Sequence, residues 1–81
     1  RKGKNFNVAM SYYENSKRIN KEDNNHLNLG ETYLEIGKFY EDTGNRDLSV
    51  ENYQSALKEF QFIEANARVT QTEQALSNLT I

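Results

Sequence analysis

The chain has 81 residues, with 10 Lys and Arg, 12 Asp and Glu, no cysteine and a net charge of −2. A chain of this length is one domain at most, and without cysteine it has neither disulfides nor a thiolate metal site. Its interspersed charges give no basic face for nucleic acid or an anionic membrane, and no apolar run approaches the roughly 20 residues of a membrane span. We therefore expect no nucleic-acid or membrane partner, and a cytoplasmic location, which suits a cysteine-free chain.

The first residues, Arg1-Lys2-Gly3, lack a methionine, so we expect a piece of a longer protein. Proline is absent, and apolar residues recur at three- and four-residue steps, which predicts an all-α fold. A first helix is predicted over residues 5–20, with a stripe at Phe6, Ala9, Tyr13 and Ser16. The polar residues 20–25 then interrupt the pattern and offer several N-caps.

A second helix is predicted from residue 25 or 26 to residue 42. Its stripe has continuous helical spacing and consists of Leu29, Tyr33, Ile36 and Tyr40. In the turn that follows, Gly44 suits the left-handed C-terminal position and Asp47 suits the next N-cap.

A third helix is predicted from about Leu48, with Val50, Tyr53, Ala56, Leu57 and Phe60 facing inward. A second stripe, on the opposite side, consists of Phe62, Ala65, Val69, Thr72, Leu76 and Leu79. Either the chain turns and starts a fourth helix, or one long helix uses two faces. The capping box from Thr70 to Glu73 favours a break between about residues 66 and 70.

The sequence also repeats itself when residue 9 is placed over residue 49. Residues 9–19, AMSYYENSKRI, then lie over residues 49–59, SVENYQSALKE. Both contain a small residue, an aromatic residue four positions later and a small residue three positions after that. In a helix this pattern lets a neighbouring helix approach closely while one aromatic ring fills the gap.

The order of these motifs resembles the tetratricopeptide repeat family. The matching residues are Tyr33-x-x-Ile36-Gly37-x-x-Tyr40, then Gly44, then Ser49-x-x-x-Tyr53-x-x-Ala56-Leu57. Serine at 16 and 49 replaces the usual alanine, and Lys21 and Gln61 stand where proline often closes a repeat. The period of about 40 is similar to the long repeats of kinesin-light-chain-like proteins and bacterial peptide-sensing regulators.

The resemblance implies one all-α domain over residues 1–81, built of antiparallel hairpins as a fragment of a right-handed α-solenoid. Residues 5–20 would be the second helix of a partial repeat, 26–64 a complete hairpin and 66–81 a closing helix. In this interpretation Gly37 belongs to the repeat signature and Gly30 only lengthens the helix. Gly37→Leu should then destabilise the fold more than Gly30→Leu.

No catalytic, cofactor or metal site is predicted, so we expect a protein that is not an enzyme. His26 is the single histidine, and without cysteine no metal site is expected around it. The acidic residues of the second helix fit a solvated face better than a paired-carboxylate cleft; they are Glu31, Glu35, Glu41 and Asp42.

The resemblance implies that the first helix of a repeat lines a groove for peptides or protein termini. By position, the binding residues would be Glu31, Leu34, Lys38 and Glu41, with Lys38 pairing a ligand carboxylate and Leu34 touching an apolar residue. The expected function is thus a protein- or peptide-binding module that pairs with another copy or belongs to a longer chain.

Two alternatives remain open at this point. The chain could be the peptide-sensing part of a bacterial quorum-sensing regulator or response-regulator phosphatase whose output domain is absent. It could instead be a structural homo-oligomerisation module that associates through Phe62, Val69, Leu76 and Leu79. Replacing Val69 and Leu76 by Glu should then abolish association without unfolding the hairpin.

Overall fold

The computed structural model describes residues 2–80, and side chains from residue 6 to residue 79. These residues form four α-helices and no strand: α1 Lys2–Glu22, α2 His26–Asp42, α3 Arg46–Phe62 and α4 Asn66–Thr80. Each helix packs against the next one in the chain. The all-α prediction is confirmed.

The three turns that join the helices have the same backbone conformation. Residues Asn24, Gly44 and Glu64 have positive φ angles of 54°, 84° and 56°. In each turn the next amide donates to the carbonyl five positions earlier, as from Asn45 to Tyr40 at 2.8 Å. This bonding is the Schellman motif, and it recurs at regular intervals along the described chain.

Asparagine side chains open two of the helices. Asn25 accepts from the Asn28 amide at 3.1 Å, and Asn45 accepts from the Leu48 amide at 3.3 Å. The prediction of Asp47 as the N-cap was therefore wrong. Asp47 lies in the first turn of α3, where a carboxylate still favours the positive end of the helix dipole.

The break between the last two helices is real but lies earlier than predicted. The α3 helix ends at Phe62 and α4 begins at Asn66, so the turn is at residues 63–65 rather than between 66 and 70. The predicted capping box, which starts at Thr70, lies inside α4. Gly44 signals the preceding turn in the sequence, but Glu64 adopts the same left-handed conformation without a glycine. The sequence pattern therefore gave no signal for the turn at residues 63–65.

Two glycine–aromatic contacts bring α2 and α3 together. A Cβ on Gly30 would lie 2.6 Å from Cε1 of Phe60, and one on Gly37 would lie 2.5 Å from Cδ1 of Tyr53. Both rings are fully buried, so neither has free space to move into. The expectation that Gly30 is less constrained than Gly37 was therefore wrong.

A buried serine adds a polar link to the same seam. The Ser49 hydroxyl is fully buried and donates to the Gly37 carbonyl at 2.7 Å. This bond satisfies the hydroxyl at a position where the resemblance led us to expect alanine. The small side chain thus preserves the close approach of the two helices and adds a hydrogen bond to it.

The core lies between α2, α3 and α4. Leu34 from α2 packs with the fully buried Tyr53, Ala56 and Phe60 of α3. The partly buried residues around this cluster come mainly from the last helix and its turn; they are Tyr33, Ala65, Val69, Ala75, Leu76 and Leu79. The α4 helix therefore covers apolar surface of the α2–α3 hairpin.

The sequence shift that relates α1 to α3 also relates α2 to α4, which the sequence pattern alone did not reveal. Thr32 and Thr72 are both buried, and each donates to the carbonyl four positions earlier, at 2.9 and 2.8 Å. On α1, the Ser16 hydroxyl lies 3.2 Å from the Thr32 hydroxyl. The α1–α2 pair and the α3–α4 pair thus correspond to each other in chain order and in these threonines.

We predict that Gly30→Ala and Gly37→Ala each lower the free energy of unfolding, by about 1–3 kcal/mol, because the new methyl displaces a buried ring. The better helix propensity of alanine, about 1 kcal/mol, offsets only part of this loss. Urea unfolding followed by circular dichroism measures the effect, with exposed Gln54→Ala as the control.

Phe60→Leu should relieve the crowding at position 30 and not at position 37. The double variant with Gly30→Ala should therefore lose less stability than the sum of its single changes. A stabilised Gly30→Ala variant would contradict the close contact with Phe60.

Candidate functional site

The predicted binding stripe on α2 lies on one helical face, but its four residues have different environments. Glu31 accepts from Nη2 and Nε of Arg68 on α4, at 2.8 and 3.1 Å. Glu41 accepts from the Tyr53 hydroxyl at 2.8 Å. Both carboxylates therefore already have partners within the chain.

The two inner residues of the stripe, Leu34 and Lys38, differ in their exposure to solvent. Leu34 is 6% exposed and belongs to the core, so it packs within the protein rather than lying at the surface to touch a ligand. Lys38 is exposed and forms no ion pair with any described residue. The stripe thus presents one free ammonium group between two carboxylates that hold α2 to its neighbours.

Arg68 is the partner that sequence reasoning did not single out. It lies 37 residues after Glu31, on another helix, so no local spacing connects the two. Arg46 is similar, because its guanidinium donates to the Leu79 carbonyl near the end of α4. These contacts tie α4 to the α2–α3 hairpin at both of its ends.

The hydroxyl of Tyr53 links the core to the binding stripe. Burial, and then the hydrogen bond and charge of Glu41, raise the pKa of Tyr53 above its usual value near 10. Burial and the charge of Glu35 also raise the pKa of Tyr13. In both cases the folded protein holds the phenol in its neutral form.

We predict that the protein loses stability as pH rises above about 10, where unfolded tyrosine ionises. A raised folded-state pKa means that the unfolded chain releases its proton first, so the free energy of unfolding falls with rising pH. The Tyr53→Phe variant should be less stable than the unmodified protein at pH 7. Its free energy of unfolding should then fall less as the pH rises from 7 to 11. Urea midpoints at pH 7 to 11 measure both effects, and parallel curves would contradict the role of Tyr53.

The proposed self-association stripe is divided between core and surface. Phe62, at the end of α3, is 71% exposed. Val69, Leu76 and Leu79 instead pack against the core of their own chain. The set therefore does not present a single free face, and only Phe62 is well placed to contact a second molecule.

From these positions we predict that Val69→Glu with Leu76→Glu unfolds α4, rather than separating an intact dimer as the oligomerisation alternative would predict. Carboxylates placed against the core have no partner there, and their burial is unfavourable. Circular dichroism and sedimentation together distinguish the two results, and Phe62→Glu is the surface control. Full helicity in the double variant would contradict this prediction.

His26, at the start of α2, contacts two residues of α3. Its Nδ1 lies 2.7 Å from Oε1 of Glu59 on α3, and its ring centroid lies 4.4 Å from that of Phe62. Among the side chains that the structure describes, no cluster of three His, Cys, Asp or Glu residues is placed to hold a metal ion. His26 therefore contributes to the contact between α2 and α3.

Comparisons with protein-family models, with curated proteins and with solved structures gave no match. Among the described helices, none combines the length and the apolar character needed to cross a membrane. A functional assignment accordingly depends on the residues and contacts of this chain.

Proposed function

We propose that this chain is a non-enzymatic helical-repeat module, of tetratricopeptide type, that binds a protein or peptide in the cytoplasm. The recurring turns and the correspondence between the α1–α2 and α3–α4 pairs support the repeat. The free ammonium of Lys38 on the α2 stripe carries the binding proposal.

The neighbours of Lys38 suit it to this task. Lys38 forms no ion pair with the described residues: Glu41, one turn away, accepts from the Tyr53 hydroxyl, and Glu31 pairs with Arg68 on α4. Leu34, one turn away on the same face, anchors the helix in the core. Lys38 is thus a flexible cation on a fixed helix, and a carboxylate from a peptide is its natural partner.

A screen of short fluorescent peptides with free C-terminal carboxylates tests the proposal, with anisotropy as the measurement. For the peptide that binds best, Lys38→Glu should weaken binding about tenfold or more, as expected for loss of a charge-assisted hydrogen bond. Lys58→Glu, an exposed lysine on α3, is the matched control and should leave binding unchanged.

Amidating the peptide's C-terminus should weaken binding to the unmodified protein and have little effect on Lys38→Glu. Equal affinities of the protein, Lys38→Glu and Lys58→Glu would reject Lys38 as the binding cation. Failure of every peptide to bind at millimolar concentration would reject the function.

A further inference from the structure

A groove lies between α1 and α2, next to the stripe that carries Lys38. It has a volume of about 280 Å³ and is lined by Tyr12, Ser16 and Asn20 of α1 and by Asn28, Glu31, Thr32 and Glu35 of α2. Glu35 is exposed and forms no ion pair with the described residues. The groove therefore presents an unneutralised carboxylate beside an aromatic ring.

The correspondence between the two helix pairs shows what fits such a groove. The α1–α2 pair matches the α3–α4 pair, with Ser16 at the position of Ala56 and Thr32 at that of Thr72. The groove between α3 and α4 is filled by a helix, namely α2. Leu34 belongs there to the buried cluster with α3 against which α4 packs, and Glu31 binds Arg68 of α4.

Three apolar side chains are exposed along α1 at or beside the groove. Val8, Tyr12 and Ile19 are 68%, 64% and 48% exposed, and their spacing places them on one face. Ile19 corresponds in the repeat to Glu59, which bonds His26 of α2. Glu59 on α3 thus contacts α2, the helix that fills the groove between α3 and α4. Ile19, at the equivalent position on α1, is exposed to solvent.

The charge that a docked helix would carry follows from the register of α2 against α4. These helices run in the same direction, because each is antiparallel to α3, and Glu31 lies beside Arg68. Two turns further along both helices, Lys38 falls level with Ala75. The residue at the position of Ala75 in the first pair is Glu35. A cation at the position of Lys38 in a docked helix would therefore meet the Glu35 carboxylate.

We propose that the groove between α1 and α2 binds an amphipathic helix from a partner, in the place that α2 takes between α3 and α4. The docked helix runs antiparallel to α1. Its apolar residues cover Tyr12, Val8 and Ile19, a small residue allows close approach, and a Lys or Arg pairs with Glu35. This surface goes beyond the carboxylate-binding role of Lys38.

The probe is a labelled peptide with the sequence of residues 25–43, since α2 fills the equivalent groove. Binding to the full chain is measured by fluorescence anisotropy. Glu35→Lys should weaken binding about tenfold or more, as should Tyr12→Asp, and circular dichroism should show both variants folded because both residues are exposed. Glu73→Lys, an exposed glutamate on α4, is the matched control and should bind like the unmodified chain.

A second peptide, carrying Lys38→Glu, should reverse the preference and bind the Glu35→Lys chain better than the unmodified one. Equal affinity of the original peptide for the unmodified, Glu35→Lys and Tyr12→Asp chains would overturn the proposal. That result would mean that the peptide displaces α2 from its own groove. Absence of binding at millimolar peptide would overturn it as well.

Sedimentation of the chain alone identifies the competing occupant. A dimer that is dissociated by Tyr12→Asp would assign the groove to a second copy and overturn the partner-helix proposal, whereas a monomer agrees with it. The carboxylate-peptide screen depends on Lys38 of the chain and not on Tyr12. The two proposals can therefore fail independently, and the experiments show which of them has failed.

Discussion

The close approach of α2 and α3 is the contact on which the rest of the structure depends. Gly30 and Gly37 leave room for the rings of Phe60 and Tyr53, and these rings fill the space between the helices. Because the rings are fixed there, they form with Leu34 the apolar surface that α4 covers. The Tyr53 hydroxyl extends beyond this core and donates to Glu41. The contact between Gly37 and Tyr53 therefore also determines that Glu41, in the predicted binding stripe, has a hydrogen-bond partner.

The α2 helix contributes residues to both proposed binding surfaces, the stripe that contains Lys38 and the groove that contains Glu35. Both lie on α2, which contacts α1, α3 and α4 and still presents charged residues to solvent. The ion pair with Arg68 is partly exposed, so its contribution to stability is small, about 0–1 kcal/mol. Its larger effect is to hold the first half of α2 against α4. The exposed Lys38 and Glu35 form no ion pair with the described residues, so α2 presents a free cation and a free anion to solvent.

Much of this fold followed from the sequence, because periodicity and turn chemistry are local. The α2 boundaries and the turn at Gly44 were predicted from such signals. The turn at Glu64 was displaced because a left-handed glutamate carries no local mark. The candidate site was harder to predict, because Leu34 is buried by residues of other helices and the Arg68 pair joins residues 37 positions apart. The importance of Gly30 also escaped prediction, because its partner Phe60 lies on another helix.

The regular recurrence of one turn has a consequence for how such a chain can change. Each Schellman turn fixes where its helix ends, so the helix between two turns has a set length. Inserting one residue before Gly37 would rotate it by about 100° relative to the preceding turn. A bulkier neighbour would then face Tyr53. Substitutions on exposed faces are compatible with this set length, whereas single-residue insertions or deletions within α2 are not.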